Sequence, residues 1–344
     1  MKEFGSDFHY NTNFKGSSET NYMQDRDLRY YANGRQAILH LIDLNKWNRI
    51  WIPEYYCYQI VETIKNSGIE IKFYPDAPRL DDTSIIESLR FRKKDVILRM
   101  NYFGLRSIRD NRKIPIEVIE DHSHDLFGVW SNNSNADWCV ASIRKTLPIP
   151  EGGILWSPQN HALPKQVCQT EENISIVERR WKAMKLKLNY LAGYDVEKDE
   201  FRNLFLETEN SFDIVPLSDL TEDCKMYLSD FDFSNWEKQK LINWEILSKI
   251  KSNHIEILLP EANGCNMFSF IFLTKTVPAR DIIRDNLIQN HVYPAILWDI
   301  PDNKSEYSVN FSKRMFSIPC DGRYIALDIL EIKKLLENAF QTIH

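Results

Sequence analysis

The chain has 344 residues and a formal net charge of −6, from 43 Lys+Arg against 49 Asp+Glu, a length that holds one large α/β domain or two of modest size with real cores. Hydrophobic residues at 43% and aromatics at 12% exclude a disordered chain, and the acidic balance gives no electrostatic footprint for DNA or RNA. The longest apolar stretches, such as 268–273, fall far short of the ~20 residues that span a bilayer.

Residues 1–22 are polar and read as a loose N-terminal arm, and their opening, MKEFGSDFHYNTNFKG, lacks the apolar core of a signal peptide. Asn33-Gly34 precedes the helical run RQAILHLIDL, in which Ala37, Leu41 and Leu44 share one face. The strand IWIP (50–53) leads into the helix YYCYQIVETIKNSG, closed by Gly68. Further strands are expected at 69–75, 96–104, 116–121, 138–143 and 153–157, with a helix at 84–91. Strands separated by helical segments predict parallel pairing through crossovers. In such sheets ligands gather at the carboxyl ends of the strands.

After 158 the texture changes. A long basic helix is expected over 172–192, then an irregular acidic stretch over 194–230. Ser234 and Glu237 make a capping box for a helix in which Leu241, Trp244, Leu247 and Ile250 recur every three residues. Strands at 254–259 and 267–273, a helix at 279–289 and an amphipathic helix at 331–341 complete the chain. This places a large domain at 1–235 and a small C-terminal domain at 236–344.

Six cysteines (57, 139, 168, 224, 265 and 320) are scattered with no C-x-x-C pair, which reads as reduced thiols of a cytoplasmic protein. Three features carry candidate chemistry. Gly34 at a helix start offers unpaired N–H groups and a positive dipole end suited to phosphate, although an ordinary turn accounts for the same two residues. Asp121 ends the strand IEVIED at the ligand edge of the sheet, where a helix cap or turn is the plainer reading. His122 and His124 follow it, but a third ligand at sensible spacing is missing, so no metal is expected. Lys145 sits in SIRKTLPIPEGG between Ile143 and Leu147-Pro148. It is either a solvated surface charge or a desolvated lysine able to form a Schiff base. The chain has no G-x-S-x-G, G-x-x-x-x-G-K-[ST] or G-x-G-x-x-G motif.

In that order, the helix start, the strand-end Asp and the loop Lys ahead of Gly152-Gly153 resemble the parts of a pyridoxal phosphate (PLP) enzyme of the aspartate aminotransferase fold. The chain resembles more closely the DegT/DnrJ/StrS family of nucleotide-sugar aminotransferases. The likeness lies in YYANGRQAILHL, WIPEYYCYQIVETIKNSGIEIKFYPD, NYFGL, VIEDHSH, ASIRKTLPIPEGGIL and MFSIPCDGRY, and covers about residues 25–330.

The resemblance implies fold type I: a large domain whose mostly parallel seven-stranded sheet lies between helices, and a smaller C-terminal α+β domain. It implies that Lys145 holds PLP and serves as base and acid, and that Asp121 pairs with the pyridinium nitrogen. His124 would contact the 3-hydroxyl side of the ring. Gly34 and Arg35 would present backbone N–H groups to the phosphate, with Ser142 a further phosphate ligand. Three positions depart from the family pattern. Val140 stands where many relatives carry their phosphate serine. Cys57 stands four residues after Pro53, at the place of the stacking aromatic, with Tyr55, Tyr56 and Tyr58 around it. PLSDLTEDCKM lacks the Arg and Asn of the segment that contacts a partner subunit's cofactor.

The activity implied is transfer of an amino group from a donor such as glutamate to a nucleotide-linked keto sugar, for surface polysaccharide or related sugar biosynthesis. A cytoplasmic homodimer without nucleic-acid or membrane partners is implied with it. Two alternatives stay open: other PLP chemistry on the same site, such as dehydration or a non-sugar substrate, and a degenerate non-catalytic member of the family.

Overall fold

The computed structural model describes residues 2–16 and 26–343. The chain opens on the two-residue strand β1 (Phe4–Gly5), then runs through β2 (Arg29–Tyr31), α1 (Gly34–Asn45), β3 (Arg49–Pro53), α2 (Tyr58–Asn66) and β4 (Glu70–Tyr74). It continues through α3 (Asp82–Ser88), β5 (Asp95–Met100), β6 (Glu117–Asp121), α4 (Val129–Asn132), β7 (Trp138–Ser142) and β8 (Gly153–Trp156). Seven of these strands form one sheet in the order β2-β8-β7-β6-β5-β3-β4. The pairs from β4 to β7 are parallel, and β8 runs antiparallel to both its neighbours. This is the mostly parallel seven-stranded sheet the resemblance implies.

The strand at 153–157 departs from the expectation of parallel pairing. The short connection 143–152 carries no crossover helix, and without one the chain returns antiparallel. β5 and β7 are buried along their whole length, as strands covered on both faces must be. Their alternate residues feed two cores. Val96, Leu98 and Met100 join the core beneath α1 and α2. Ile97, Cys139 and Ala141 join the core on the other face.

Beyond the sheet come α5 (Glu171–Leu191), α6 (Lys198–Phe212), α7 (Glu222–Ser229) and α8 (Phe233–Ser248). α5 is the expected basic helix. The stretch read as irregular, 194–230, instead contains α6 and α7. α6 buries Phe201, Phe205, Thr208 and Phe212, a helical spacing that its many polar residues mask. α8 starts two residues earlier than the capping-box reading implies: its N-cap is Asp232, which accepts the Asn235 N–H at 3.0 Å.

The C-terminal part holds β9 (Ile255–Ile257), β10 (Phe270–Thr274), α9 (Val277–Gln289), β11 (Val292–Tyr293), α10 (Glu306–Arg314), β12 (Met315–Ile318) and α11 (Ala326–Gln341). β12, β10 and β9 make a three-stranded antiparallel sheet. α10 and β12 have no counterpart in the sequence reading, and α11 begins earlier than expected.

The described part of the N-terminal arm is docked rather than loose. β1 pairs in parallel with β11, and Lys15 bridges to Phe231. Lys187 Nζ donates to the Asp7 carbonyl at 2.6 Å. Tyr10 and Phe14 pack edge-on against Trp181 and Trp236, so apolar rings spaced among polar neighbours hold the arm down. Residues 17–22 of the expected arm lie outside the described residues. No helix among the described residues is long and apolar enough to cross a membrane.

Candidate active site

Three backbone features meet at the carboxyl edge of the large sheet. Asn33 is extended (φ −155°) and caps α1 by accepting the Gln36 N–H at 3.1 Å. The amides of Gly34 and Arg35, first in the helix, have no acceptor within it. β6 ends at Asp121, a residue only 3% exposed. Its Oδ1 accepts the Ser123 N–H at 2.8 Å and its Oδ2 accepts the Tyr56 hydroxyl at 2.6 Å. β7 runs into a single tight turn, Ile143–Lys145, which leaves Lys145 half-buried at the same edge.

The glycine pair after that turn locks it to the start of α1. Gly152 N–H donates to the Ala32 carbonyl at 2.8 Å, and its own carbonyl accepts the Ile143 N–H at 3.0 Å. A Cβ on Gly153 would stand 2.2 Å from the Asn33 oxygen and 2.7 Å from the Gly34 nitrogen. Glu151 is fully buried and accepts from Thr221 N at 2.7 Å, Thr221 Oγ1 at 2.6 Å and Asn173 Nδ2 at 2.7 Å. Burial pushes its carboxyl up and these donors pull against it. The residues Glu151-Gly152-Gly153 are therefore a strut and two points of backbone contact. Gly153→Ala is expected to cost about 1–3 kcal/mol, the usual range for overpacking, measured as a lower urea midpoint. An unchanged midpoint would show that the strand moves aside freely.

A pocket opens between these features, with Gly34, Arg35, Cys57, Asp121, Ser142 and Lys145 in its wall. Five of the six residues singled out in the sequence thus come together. The sixth, His124, is buried and lies outside the pocket wall. Its ring stacks on Phe268 at 4.3 Å and on Trp298 at 5.3 Å. Burial, and then the charge of Lys145, hold its pKa well below the ordinary value, so it is a neutral ring. Val140 and Cys57, two of the departures from the family pattern, both line the pocket.

Sequence reasoning missed several neighbours. Trp298 lies in an irregular segment without periodicity, yet its ring centroid is 5.5 Å from Lys145 Nζ. Arg144, next to Lys145, donates two hydrogen bonds of 2.7 Å to Glu209 on α6, and Arg180 adds a third at 3.1 Å. Arg35 pairs with Asp213, just past α6. Because α6 was read as irregular, none of these counter-charges could be anticipated.

Burial pushes the Glu209 carboxyl up, but Arg144, Arg180 and Arg35 overcome this and hold it at about 2, against an ordinary 4.5. A carboxyl depressed in the folded state adds stability that is complete above its unfolded pKa and is lost as pH falls through the folded one. Unfolding midpoints should therefore drop between pH 4.5 and about 2, and Glu209→Gln should flatten that limb. An identical acid limb in the variant would contradict the pairing.

Glu120 in β6 and His122 just past its end flank Asp121 and so point to the opposite face of the sheet. There the donor atoms of Glu120, His122 and Cys139 lie within 4.8 Å of one another. The fold thus supplies neighbours that the spacing of His122 and His124 does not reveal. Glu120 is satisfied within the chain, accepting from Asn111 at 2.7 Å, Ser134 at 2.5 Å and His122 at 3.0 Å. The cluster is a buried hydrogen-bond network behind the strand that carries Asp121.

No family sequence model matches the chain, and no curated protein matches it by sequence. Solved structures do match it. Spr1654 from Streptococcus pneumoniae, in its PLP-form, aligns with a TM-score of 0.63 at 11% identity over 96% of this chain and 93% of that chain. Helicobacter pylori PseC, an aminotransferase involved in the biosynthesis of pseudoaminic acid, aligns at 0.62 and 13% identity over 99% and 100%. The sugar aminotransferase CalS13 from Micromonospora echinospora aligns at 0.55 and 12% identity over 90% and 87%. At such identities the likeness establishes the fold: this chain has the type I fold of PLP-dependent transferases.

Proposed function

We propose that the chain is a PLP-dependent aminotransferase that passes an amino group from a donor amino acid to a keto sugar. One observation carries the reading: Lys145, Asp121 and the first two amides of α1 share one pocket at the ligand edge of a type I fold. The donor set suits PLP. The helix start suits the phosphate, and the buried carboxylate suits a cationic ring nitrogen. Among the described residues, no hydrogen bond or ion pair engages Lys145 Nζ, which lies over the face of Trp298 and close enough to His124 for its charge to be felt there.

Bound there, PLP supplies an electron sink for negative charge at the substrate carbon. Lys145 would hold it and, once displaced by the donor amine, move the proton between the two carbons that exchange the amino group. Asp121 keeps positive charge at the ring nitrogen, and Gly34 and Arg35 fix the phosphate. Phe268, His124 and Trp298 form a stacked group beside the site, with Trp298 facing Lys145.

The finer reading is a nucleotide-linked acceptor, a cytoplasmic setting and a homodimer. The acceptor and the setting rest on the sequence resemblance. The homodimer rests on the same resemblance. Cys57 and Val140 in the pocket wall support the second reading, other PLP chemistry on the same site.

Incubation with PLP and glutamate decides between the two readings. The expected product is pyridoxamine phosphate, returned to PLP by a nucleotide-linked keto sugar. If no amino acid yields pyridoxamine phosphate while Lys145 carries PLP, transamination is the wrong reaction.

A further inference from the structure

Asp121 does not meet the pocket as a bare carboxylate. A carboxylate offers about four lone-pair sites. The Ser123 N–H takes one on Oδ1, and the Tyr56 hydroxyl takes one on Oδ2 at 2.6 Å. Any residue at 123 other than proline would make the first bond, but the second depends on a tyrosine at 56. Tyr56 is fully buried and its ring lies 5.9 Å from that of Trp298, so the hydroxyl is held in place. Burial, and then the negative charge of Asp121, raise its pKa well above the ordinary value. It is therefore a permanent neutral donor. Bonds from a hydroxyl to a carboxylate at this length are at the strong end of the range. Each such bond draws charge from the acceptor and leaves the remaining lone pairs weaker.

We infer that Tyr56 is a positioning residue for Asp121, fixing its orientation and weakening it as an acceptor for a ring nitrogen. The inference rests on the PLP reading above. It means that the ring nitrogen is protonated less firmly beside Asp121 than beside an unshared carboxylate.

The test loads the full-length protein with PLP labelled with nitrogen-15 in the ring and reads the ring resonance. Tyr56→Phe keeps the buried ring and deletes the hydroxyl, so the resonance is expected to move toward the protonated position. 3-Fluorotyrosine at position 56, a stronger donor of nearly the same shape, should move it the other way. The fluorinated protein alone carries the test if Tyr56→Phe does not fold. No movement from either change, or movement in the same direction from both, would overturn the inference. A wild-type protein that takes no PLP onto Lys145 would instead defeat the reading on which it rests.

Discussion

Lys145→Ala is expected to abolish covalent capture of PLP and to lower transamination by at least the ~10²–10⁴-fold that a positioned acid–base group contributes. The fold should be indifferent to the change. The Lys145 side chain is half-buried, and its contact with the Trp298 face at 5.5 Å is worth about 0.5–1 kcal/mol. Lys145→Arg separates charge from nucleophilicity, since a guanidinium keeps the cation but cannot form the Schiff base. Both variants should melt close to the wild type and both should be inactive. A solvated surface lysine, the plain reading of its sequence, predicts two active variants, so turnover decides the matter.

The second large effect is at the ring nitrogen. Asp121→Asn keeps the side-chain shape and removes the charge, and turnover is expected to fall by about 10²–10³-fold, as when one preorganised electrostatic partner is deleted. Asp121→Ala carries an additional structural cost. It strands the Tyr56 hydroxyl and the Ser123 N–H, each a buried donor whose loss of partner costs about 1–3 kcal/mol. The alanine variant should therefore be both inactive and less stable, and the asparagine variant mainly inactive. Steady-state rates beside urea midpoints separate the two. Near-normal turnover in Asp121→Asn would remove Asp121 from the chemistry.

What the sequence discloses here is what local pattern determines. The apolar runs of β5, β6 and β7 mark buried parallel strands, and Asn33-Gly34 marks a helix start because capping is decided within four residues. Lys145 and Asp121 are legible for the same reason, since each directly follows or ends an apolar strand. The strand β2, only three residues long, gives too little pattern to detect. α6 was missed because Phe201, Phe205 and Phe212 are diluted by acidic neighbours. With it went the counter-charges that Glu209 and Asp213 provide to Arg144 and Arg35. Ser234 satisfies the capping pattern as well as Asp232 does, and only the hydrogen bond to Asn235 chooses between them. Tyr56 and Asp121 meet across 65 positions, and Trp298 reaches Lys145 from the far C-terminal part. Such contacts depend on tertiary packing, which one-dimensional spacing does not encode.

The most direct measurement is borohydride reduction of the PLP-loaded protein followed by peptide mass mapping. One pyridoxyl group per chain, on the peptide containing Lys145, is the result the site geometry predicts. A pyridoxyl group on any other lysine, or none at all at saturating PLP, would contradict it.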